Sequence, residues 1–309
     1  MLPALLEMKP SFRILLYYLY RPIDDPNEFA CRQRELCEDL GLKGRIIVAA
    51  EGINGTVSGL SAATNRYIEL MREDSCNGKM EFKMDDAKEH AFKKLSVKVR
   101  PEIVTLNLDG EEDIDPNRLT GSRLAPSDFY EAMKEDGALI LDGRNQYESD
   151  LGHFKGAICP DVENFRDFPE WIRNNLADAK DRPVLTYCTG GIRCEKLSGF
   201  LLNEGFKNVS QLDGGIVTYG KDPDVQGRDF EGQCYVFDER IGVAVNAANP
   251  SVVAACRNCG EPIERYVNCS WKPCNLRIFL CPSCEERDGR FCSEECRKLS
   301  SEKLEESGF

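Results

Sequence analysis

The chain has 309 residues, of which 41% are hydrophobic and 30% are charged, as in a globular protein of about two or three domains. Its net charge of −13 disfavours binding of a polyanion over the whole surface, and no segment approaches the roughly 18 apolar residues that span a bilayer. The N-terminus lacks the basic leader and cleavage site of a signal peptide, which predicts a cytoplasmic protein with no membrane partner. In that compartment the 15 cysteines are expected to be metal ligands or reactive thiols.

Histidine is scarce, since only His90 and His153 are present. This excludes a metal site built on several histidines and disfavours a Cys-His protease mechanism. Two local groups of cations are candidate surfaces for nucleic acid, although scattered solvated charge is the simpler interpretation of both. The groups are Lys93, Lys94, Lys98 and Arg100 in one segment, and Arg265, Lys272 and Arg277 in another.

The first region, residues 1–108, alternates strand and helix signals. The pattern predicts a strand over 12–20, a helix over 28–40, β-rich segments over 45–50 and 53–58, a helix over 61–74 and a strand over 79–84. The Asn54-Gly55 pair is a turn signal. The order βαββαβ is that of a ferredoxin-like α+β domain, with a further β-rich segment over 95–108. Such a sheet serves either as an RNA platform or as the support of a neighbouring domain.

An acidic segment over 109–123 predicts a linker, and a second α/β unit follows over 124–221. Its predicted helices cover 127–135, 171–178 and 197–204, and its short apolar strands cover 138–141, 184–187 and 209–212. This alternation predicts a doubly wound parallel sheet that helices cover on both faces. Functional loops should then gather at the carboxyl ends of the strands.

A cysteine loop follows the strand over 184–187, with the sequence Cys188-Thr-Gly-Gly-Ile-Arg193-Cys194. Backbone N–H groups and a helix N-terminus can converge on the sulfur in such a loop and stabilise a thiolate. Four residues separate Cys188 from Arg193, one fewer than in the cysteine–arginine loops of protein phosphatases. The smaller loop suits a persulfide or another compact group better than a phosphate. A nucleophilic role requires that the Cys188 sulfur face an opening and ionise below neutral pH.

The third region, residues 222–309, carries eight cysteines in four close pairs within 41 residues. Zn²⁺ prefers four tetrahedral thiolates, so eight thiols satisfy two structural sites. A cross-braced arrangement would join the first pair to the third and the second to the fourth, and iron–sulfur clusters are the alternative metal centres. The predicted ligands are Cys256, Cys259, Cys269, Cys274, Cys281, Cys284, Cys292 and Cys296.

Four motifs in order resemble the rhodanese domain over 124–221. They are Asp142-Gly-Arg144-Asn-Gln-Tyr147-Glu148, Gly152-His153-Phe-Lys-Gly156-Ala157, the Cys188 loop, and Leu212-Asp213-Gly214-Gly215-Ile216. The resemblance implies a persulfide-forming cysteine at Cys188, with catalytic roles for Arg193 and for Asp142 and Arg144, which can pair and brace the pocket. It also implies that the loop residues contact the substrate, namely Thr189, Gly190, Gly191, Ile192 and Cys194.

The chain as a whole resembles the rhodanese-containing tRNA uridine(34) hydroxylases over nearly all of 12–296. The motifs that carry this resemblance are Glu51-Gly-Ile-Asn-Gly-Thr56, the Cys188 loop and Arg265-Tyr-Val-Asn-Cys269. It implies a monooxygenase-type oxidoreductase that converts the wobble uridine in the anticodon loop of certain tRNAs to 5-hydroxyuridine, with molecular oxygen as co-substrate. The expected architecture is a ferredoxin-like domain, a rhodanese-like domain and a small Cys-rich zinc-binding domain. Neither the electron donor nor a protein partner follows from the sequence.

Two other functions are compatible with the same residues. The loop length alone favours a thiosulfate or persulfide sulfurtransferase that supplies tRNA thiolation, whereas a non-enzymatic binding module would not need the intact cysteine and arginine. The resemblance over three domains favours the hydroxylase. Cys194 has two interpretations, a resolving thiol that attacks a persulfide or sulfenate on Cys188 and a small residue that only packs.

Overall fold

The N-terminal domain is a five-stranded sheet with two helices on one face, in a computed structural model that describes residues 11–74, 79–108 and 113–306. Its elements are β1 (Phe12–Tyr20), α1 (Pro26–Asp39), β2 (Lys43–Ala49), β3 (Gly52–Leu60), α2 (Ser61–Glu73), β4 (Glu81–Ala87) and β5 (Leu95–Val99). The sheet order is β4-β1-β3-β2-β5, in which the first four strands pair antiparallel and β5 joins β2 in parallel. The predicted ferredoxin-like order is confirmed.

The turn predicted at Asn54-Gly55 is wrong, because the chain reverses at residues 50–51, between β2 and β3. Asn54 and Gly55 lie inside β3, and Gly55 is in register with Tyr17 of β1. A Cβ atom at Gly55 would overlap the Tyr17 ring. Close packing between strands, and not a turn, therefore requires glycine at this position.

Alternation along β1 gives the sheet two different faces. Leu15 and Tyr17 join the core beneath α1 and α2. Tyr18 and Tyr20 point to the opposite face, where they pack with Ile192 of the second domain. The helices thus complete one hydrophobic core, and the other face of the sheet contacts the next domain.

The second domain is a parallel sheet with helices on both faces. Its elements are β6 (Ser122–Leu124), α3 (Pro126–Ala132), β7 (Leu139–Asp142), α4 (Gln146–Ser149), β8 (Gly152–Phe154), α5 (Phe168–Asn175), β9 (Pro183–Tyr187), α6 (Ile192–Asn203), β10 (Asn208–Leu212) and α7 (Gly215–Tyr219). The sheet order is β6-β10-β9-β7, with every pair parallel. Neighbouring residues of β7 enter different cores, Leu141 one and Ile140 the other, so both faces are buried. The predicted doubly wound sheet is confirmed.

The C-terminal region begins by extending the second domain. The strands β11 (Phe230–Tyr235) and β12 (Gly242–Ala244) form an antiparallel sheet with β8, in the order β12-β11-β8. The hairpin β13 (Tyr266–Asn268) and β14 (Arg277–Phe279) follows, and then α8 (Pro282–Asp288) and α9 (Glu294–Glu306). The core of this last part consists mainly of cysteines with a few apolar residues such as Leu280. Across the described ranges, no helix has the length and apolar character of a membrane span.

Candidate active site

Cys188 lies directly after β9, at the carboxyl end of the parallel sheet, and α6 begins four residues later at Ile192. The helix starts earlier than the predicted Leu197 because Gly191 ends the loop in the left-handed region, with φ of +100°. The N–H group of Gly191 donates to the Cys188 sulfur at 3.1 Å. The loop therefore directs backbone donors at the sulfur, as its sequence indicates.

The thiol of Cys188 ionises below its ordinary range. Burial opposes ionisation, but a hydrogen bond from the Cys194 thiol, the charge of Arg193 and the backbone N–H groups of both residues lower the pKa of Cys188 to about 5. Burial and the adjacent Cys188 sulfur raise the pKa of Cys194, which keeps its proton. At neutral pH the pair is therefore a thiolate with a neutral thiol as its donor.

The Cys188 sulfur is less accessible than a nucleophilic role predicts. Cys188 is 0% exposed to bulk solvent. It is nevertheless among the residues that line a cavity of about 430 Å³ between the cysteine loop and the N-terminal sheet, a volume typical of a small-ligand site. A base could therefore approach the sulfur only through this cavity.

The cysteine loop and several distant parts of the chain build this cavity. Among the loop residues expected to contact substrate, Thr189, Gly190 and Ile192 line it, whereas Gly191 and Cys194 act on the sulfur itself. The N-terminal region and three other segments supply the rest of the described lining, which includes Leu16, Tyr18, Arg45, Asn54, Phe92, Arg100, Glu102, Asn145, Phe165 and Phe237.

The two loop glycines allow close packing against the N-terminal sheet. A Cβ atom at Gly190 would lie 2.9 Å from the Leu16 side chain, and one at Gly191 would lie 2.9 Å from the Tyr18 hydroxyl. The Tyr18 hydroxyl donates to Glu195 Oε1 at 3.1 Å, just beyond the loop. The rhodanese motifs alone did not indicate that another domain closes the site.

Arg193 is held in place by the carboxylate of Glu148, a residue to which the sequence motifs assign no role. Its Nη1 and Nη2 atoms donate to the two carboxylate oxygens of Glu148 at 2.6 and 2.8 Å, and both residues are buried. Burial opposes the charge of Arg193, but the attraction of Glu148 raises its pKa, so the guanidinium stays cationic beside Cys188. The signal that could have identified Glu148 is an acidic residue inside the first rhodanese motif.

Asp142 and Arg144 form a fully buried ion pair at the end of β7. The Arg144 guanidinium donates to both Asp142 oxygens, at 2.8 and 2.5 Å, and to the carbonyl oxygen of Gly152 at 2.6 Å. The Tyr187 hydroxyl also donates to Asp142, at 2.7 Å. Neither charged residue is among the described residues that line the cavity. The pair ties β7 to the strand that carries Cys188.

Lys196 joins the N-terminal domain to the helix of the cysteine loop. Its fully buried ammonium lies 2.8 Å from Glu51, 2.7 Å from Glu102 and 2.9 Å from Asp113. Glu51 opens the N-terminal motif, and Lys196 lies two residues beyond the Cys188 loop, in the same helix. This contact therefore joins two of the three motifs that carry the family resemblance.

The eight C-terminal cysteines form two groups of four. In each group the four sulfur atoms lie within 4.8 Å of one another. The first pair joins the third, and the second joins the fourth, which is the cross-braced arrangement. The first group is Cys256, Cys259, Cys281 and Cys284, and the second group is Cys269, Cys274, Cys292 and Cys296.

The chemistry of these thiols suits a metal ion. Burial and hydrogen bonds with the other thiols of its group raise the pKa of Cys284 to about 12, and the same causes raise the pKa of Cys292 to about 12. Four thiolates at such distances repel one another, so they cannot all ionise near neutral pH without a cation. Each group could therefore hold one metal ion.

Comparisons with known proteins agree with this architecture. The chain matches the UPF0176 acylphosphatase-like domain over residues 12–103, the rhodanese-like domain over 125–222 and the rhodanese C-terminal domain over 231–297. The tRNA uridine(34) hydroxylase of Bacillus mycoides (strain KBAB4) is 55% identical over 286 residues, which are 93% of this chain and 89% of that protein. The chain belongs to the tRNA uridine(34) hydroxylase family.

The family predicted from the motifs is thereby confirmed. The enzyme of the same name from Bacillus cereus (strain B4264) is 56% identical over the same shares of both chains. Among solved structures, a rhodanese-like domain from Anabaena sp. covers 37% of this hydroxylase-family chain and 80% of that domain, with 23% identity and a TM-score of 0.31.

Proposed function

We propose that this chain converts the wobble uridine of tRNA to 5-hydroxyuridine, with Cys188 as the catalytic group. One observation carries the proposal, namely a thiolate with a pKa of about 5 at a cavity of about 430 Å³, in a chain 55% identical to proteins named for this activity. The partner is then the anticodon loop of tRNA, whose bases unstack readily, and the location is the cytoplasm.

The chemistry uses the thiolate as a nucleophile. Addition of the Cys188 sulfur to C6 of uracil forms a C–S bond and makes C5 electron-rich, and C5 is the atom that gains the hydroxyl group. Replacing C5–H by C5–OH with O₂ leaves one oxygen atom to become water, so an external donor must supply two electrons and two protons. In the alternative route, Cys188 is first oxidised or persulfidated, and this modified sulfur is the group that reacts with oxygen.

The remaining site residues position the sulfur and its charge. Arg193, held by Glu148, maintains a positive charge beside Cys188, and Cys194 donates the thiol hydrogen bond. Asp142 and Arg144 keep the ends of β7 and β9 together, so we assign them a positioning role.

Both cysteine groups are proposed to hold structural Zn²⁺. Tetrahedral Zn–S bonds of about 2.3 Å separate the ligand sulfurs by about 3.8 Å. The sulfurs of Cys259 and Cys281 lie 3.8 Å apart, and Cys292 lies 3.4 Å from both Cys274 and Cys296. When bound, the ion would supply the cation that stabilises four thiolates and the folded C-terminal region.

Mass spectrometry of tRNA nucleosides tests the catalytic assignment. We expect cells that carry Cys188→Ser to lose 5-hydroxyuridine. The matched control is Cys234→Ser, because Cys234 is also buried but burial raises its pKa to about 12, so it is no thiolate near neutral pH. Normal 5-hydroxyuridine in the Cys188→Ser cells would contradict the proposal.

The second candidate is a persulfide sulfurtransferase, which the four-residue spacing between Cys188 and Arg193 favours. Cyanide-dependent release of thiocyanate by the purified protein distinguishes the two functions. We expect negligible turnover, whereas turnover that depends on Cys188, together with unchanged 5-hydroxyuridine in its absence, would favour the sulfurtransferase.

A further inference from the structure

Three exposed cations lie on the cavity face of the N-terminal sheet. Arg45 of β2 is in register with Ser96 of β5, Lys98 lies two residues further along β5, and Arg100 another two. Residues in register, and residues two apart on a strand, share one face of a sheet. Arg45 and Arg100 both line the cavity that contains Cys188, so this face is the one opposite α1 and α2. We call Arg45, Lys98 and Arg100 the basic strip.

The cations of the basic strip have no carboxylate partner among the described residues. Within the described ranges, none of its three side chains forms an ion pair or a hydrogen bond. Some exposed cations are paired, as Lys207 is with Asp181 at 2.6 Å. In a chain of net charge −13, three unpaired cations on one face of a sheet form a local positive surface that favours an anionic partner.

The acidic residue nearest the strip does not neutralise it. Among the described residues that line the cavity, Glu102 is the acidic one. Its carboxylate is 2.7 Å from the Lys196 ammonium and accepts the backbone N–H of Leu106 at 3.0 Å. Glu148 likewise pairs with Arg193, so Arg45 and Arg100 are the described cationic side chains of the lining that have no ion-pair partner. Their positive charges exceed the single negative charge of the Cys188 thiolate by one.

An exposed aromatic ring completes the surface. Phe237 lines the same cavity and is 42% exposed, so its ring is accessible to a ligand in that cavity. Surfaces for single-stranded nucleic acid combine cations that follow the backbone with aromatic rings on which bases stack. Arg45, Arg100, the Phe237 ring and the reactive sulfur share one cavity here, and Lys98 lies beside it on the same face of the sheet.

We propose that the basic strip binds phosphates of the RNA strand that enters the cavity, while Phe237 stacks on a base beside the one that reaches Cys188. The proposal rests on the proposed function and names the recognition surface for it. RNA is favoured over an acidic protein because the ring offers every base a stacking face, and because the surface is continuous with the cavity.

Salt-dependent binding tests the strip. The probe is an anticodon stem-loop RNA with uridine at position 34, titrated with the full-length protein at several salt concentrations and followed by fluorescence anisotropy. Each lost phosphate contact lowers the slope of log K against log salt by about 0.7 for single strands. We expect the triple variant R45A/K98A/R100A to lower the slope by about 2 and weaken binding at least about 10-fold at low salt. Phe237→Ala is expected to weaken binding about 10-fold with an unchanged slope.

The matched control removes equal charge from the opposite edge of the second domain. Arg182 and Lys207 directly precede β9 and β10, whose other ends carry the functional loops, and Lys134 follows α3. K134A/R182A/K207A is expected to bind RNA like the wild type. Equal weakening by both triple variants would overturn the proposal, as would displacement of the RNA by polyglutamate at equal charge concentration.

The two proposals fail in different experiments. Wild-type affinity and slope in the R45A/K98A/R100A variant would overturn the strip, while the loss of 5-hydroxyuridine in Cys188→Ser cells would still support the enzyme. Thermal unfolding checks that the triple variant is folded. If it is not, the single variant Lys98→Gln carries the test with an expected slope change of about 0.7.

Discussion

Cysteine carries the chemistry of two regions, and the surroundings of the thiols make those regions differ. In the rhodanese loop, one sulfur is ionised by protein donors, which are the Cys194 thiol, the Arg193 charge and backbone N–H groups. In the C-terminal region, the sulfurs face one another in two groups of four. Backbone N–H groups lower the pKa of Cys256 to about 6 against its burial, but burial and the neighbouring thiols raise the pKa of Cys284 to about 12.

The difference shows what each region needs in order to function. The loop supplies its own positive field, so Cys188 is a thiolate without any metal and keeps its lone pairs for a substrate. The C-terminal groups lack such donors for all four thiols and need a cation to become fully ionised. In the function we propose, a thiolate bound to a metal stabilises the fold, whereas the unbound thiolate of Cys188 takes part in the reaction.

The largest expected effect is that of metal removal, because a structural Zn²⁺ site contributes on the order of 10 kcal/mol to folding. Dialysis against a chelator under reducing conditions should unfold residues 256–296 and leave 125–222 folded, since the latter has extensive apolar cores. Hydrogen exchange by mass spectrometry locates the loss of protection. Unchanged protection over 256–296 after metal loss would show that the fold of this region does not depend on a metal ion.

Metal content provides the matching controls. The wild type is expected to bind two ions per chain, Cys284→Ser one, and Cys31→Ser two, because Cys31 is exposed and belongs to neither group. Atomic emission of the purified proteins measures the content. A Cys284→Ser variant with two bound ions would show that the assignment of ligands is wrong.

The second effect concerns the buried charge pair of the loop. Glu148→Gln leaves the Arg193 guanidinium buried without an anion, which should destabilise the fold by about 3–5 kcal/mol. Urea unfolding measures the change. The control is Glu131→Gln, which breaks an exposed pair with Lys134 and should cost at most about 1 kcal/mol. Equal costs would mean that the loop does not depend on this pair.

The domain order and both main folds were predictable because they rest on local patterns. Alternating apolar residues predict the strands, and the four ordered motifs predict the rhodanese domain. Two misplaced features have different causes. Gly55 is required by a tertiary contact with the Tyr17 ring, whereas the early start of α6 follows from the local backbone geometry of Gly191. The pairing of cysteines was predictable only as one of several possibilities.

The residues that form the site were predictable only in part, because many of them lie far apart along the chain. The partners of Lys196 come from positions 51, 102 and 113, and Glu148 lies 45 residues from Arg193. No periodicity connects such residues. The cysteine loop identifies Cys188, but the N-terminal wall of the cavity, including Leu16 and Tyr18, follows only from the packing of the domains.

The third prediction isolates the Cys194 thiol. Because its hydrogen bond is the largest favourable contribution to the low pKa of Cys188, Cys194→Ala should raise that pKa from about 5 toward the ordinary value of 9.0. Thiolate absorbance in the ultraviolet, measured as the difference between this variant and the double variant Cys188→Ser/Cys194→Ala, follows the titration. An unchanged pKa would assign Cys194 to packing alone.

The same shift has a consequence for stability. The folded pKa of Cys188, about 5, lies below the ordinary value of 9.0, so its stabilisation is complete above pH 9 and is lost as pH falls toward 5. Relative to Cys188→Ser, the wild type should therefore lose unfolding free energy between pH 9 and pH 5. A Cys194→Ala background should reduce this loss.

The smallest expected effect concerns one contact between the domains. Tyr18→Phe removes the hydroxyl that donates to Glu195, which keeps Arg123 at 2.7 Å and Thr120 at 2.9 Å. Burial and then the Glu195 charge raise the pKa of Tyr18, so the wild-type hydroxyl is a neutral donor, and its loss should cost about 1 kcal/mol in urea unfolding. A double-mutant cycle with Glu195→Gln should give a coupling of about 0.5–1 kcal/mol. Zero coupling would mean that the N-terminal domain does not support the cysteine loop through this bond. A measurable coupling with unchanged metal content would show that this contact supports the loop independently of the metal sites.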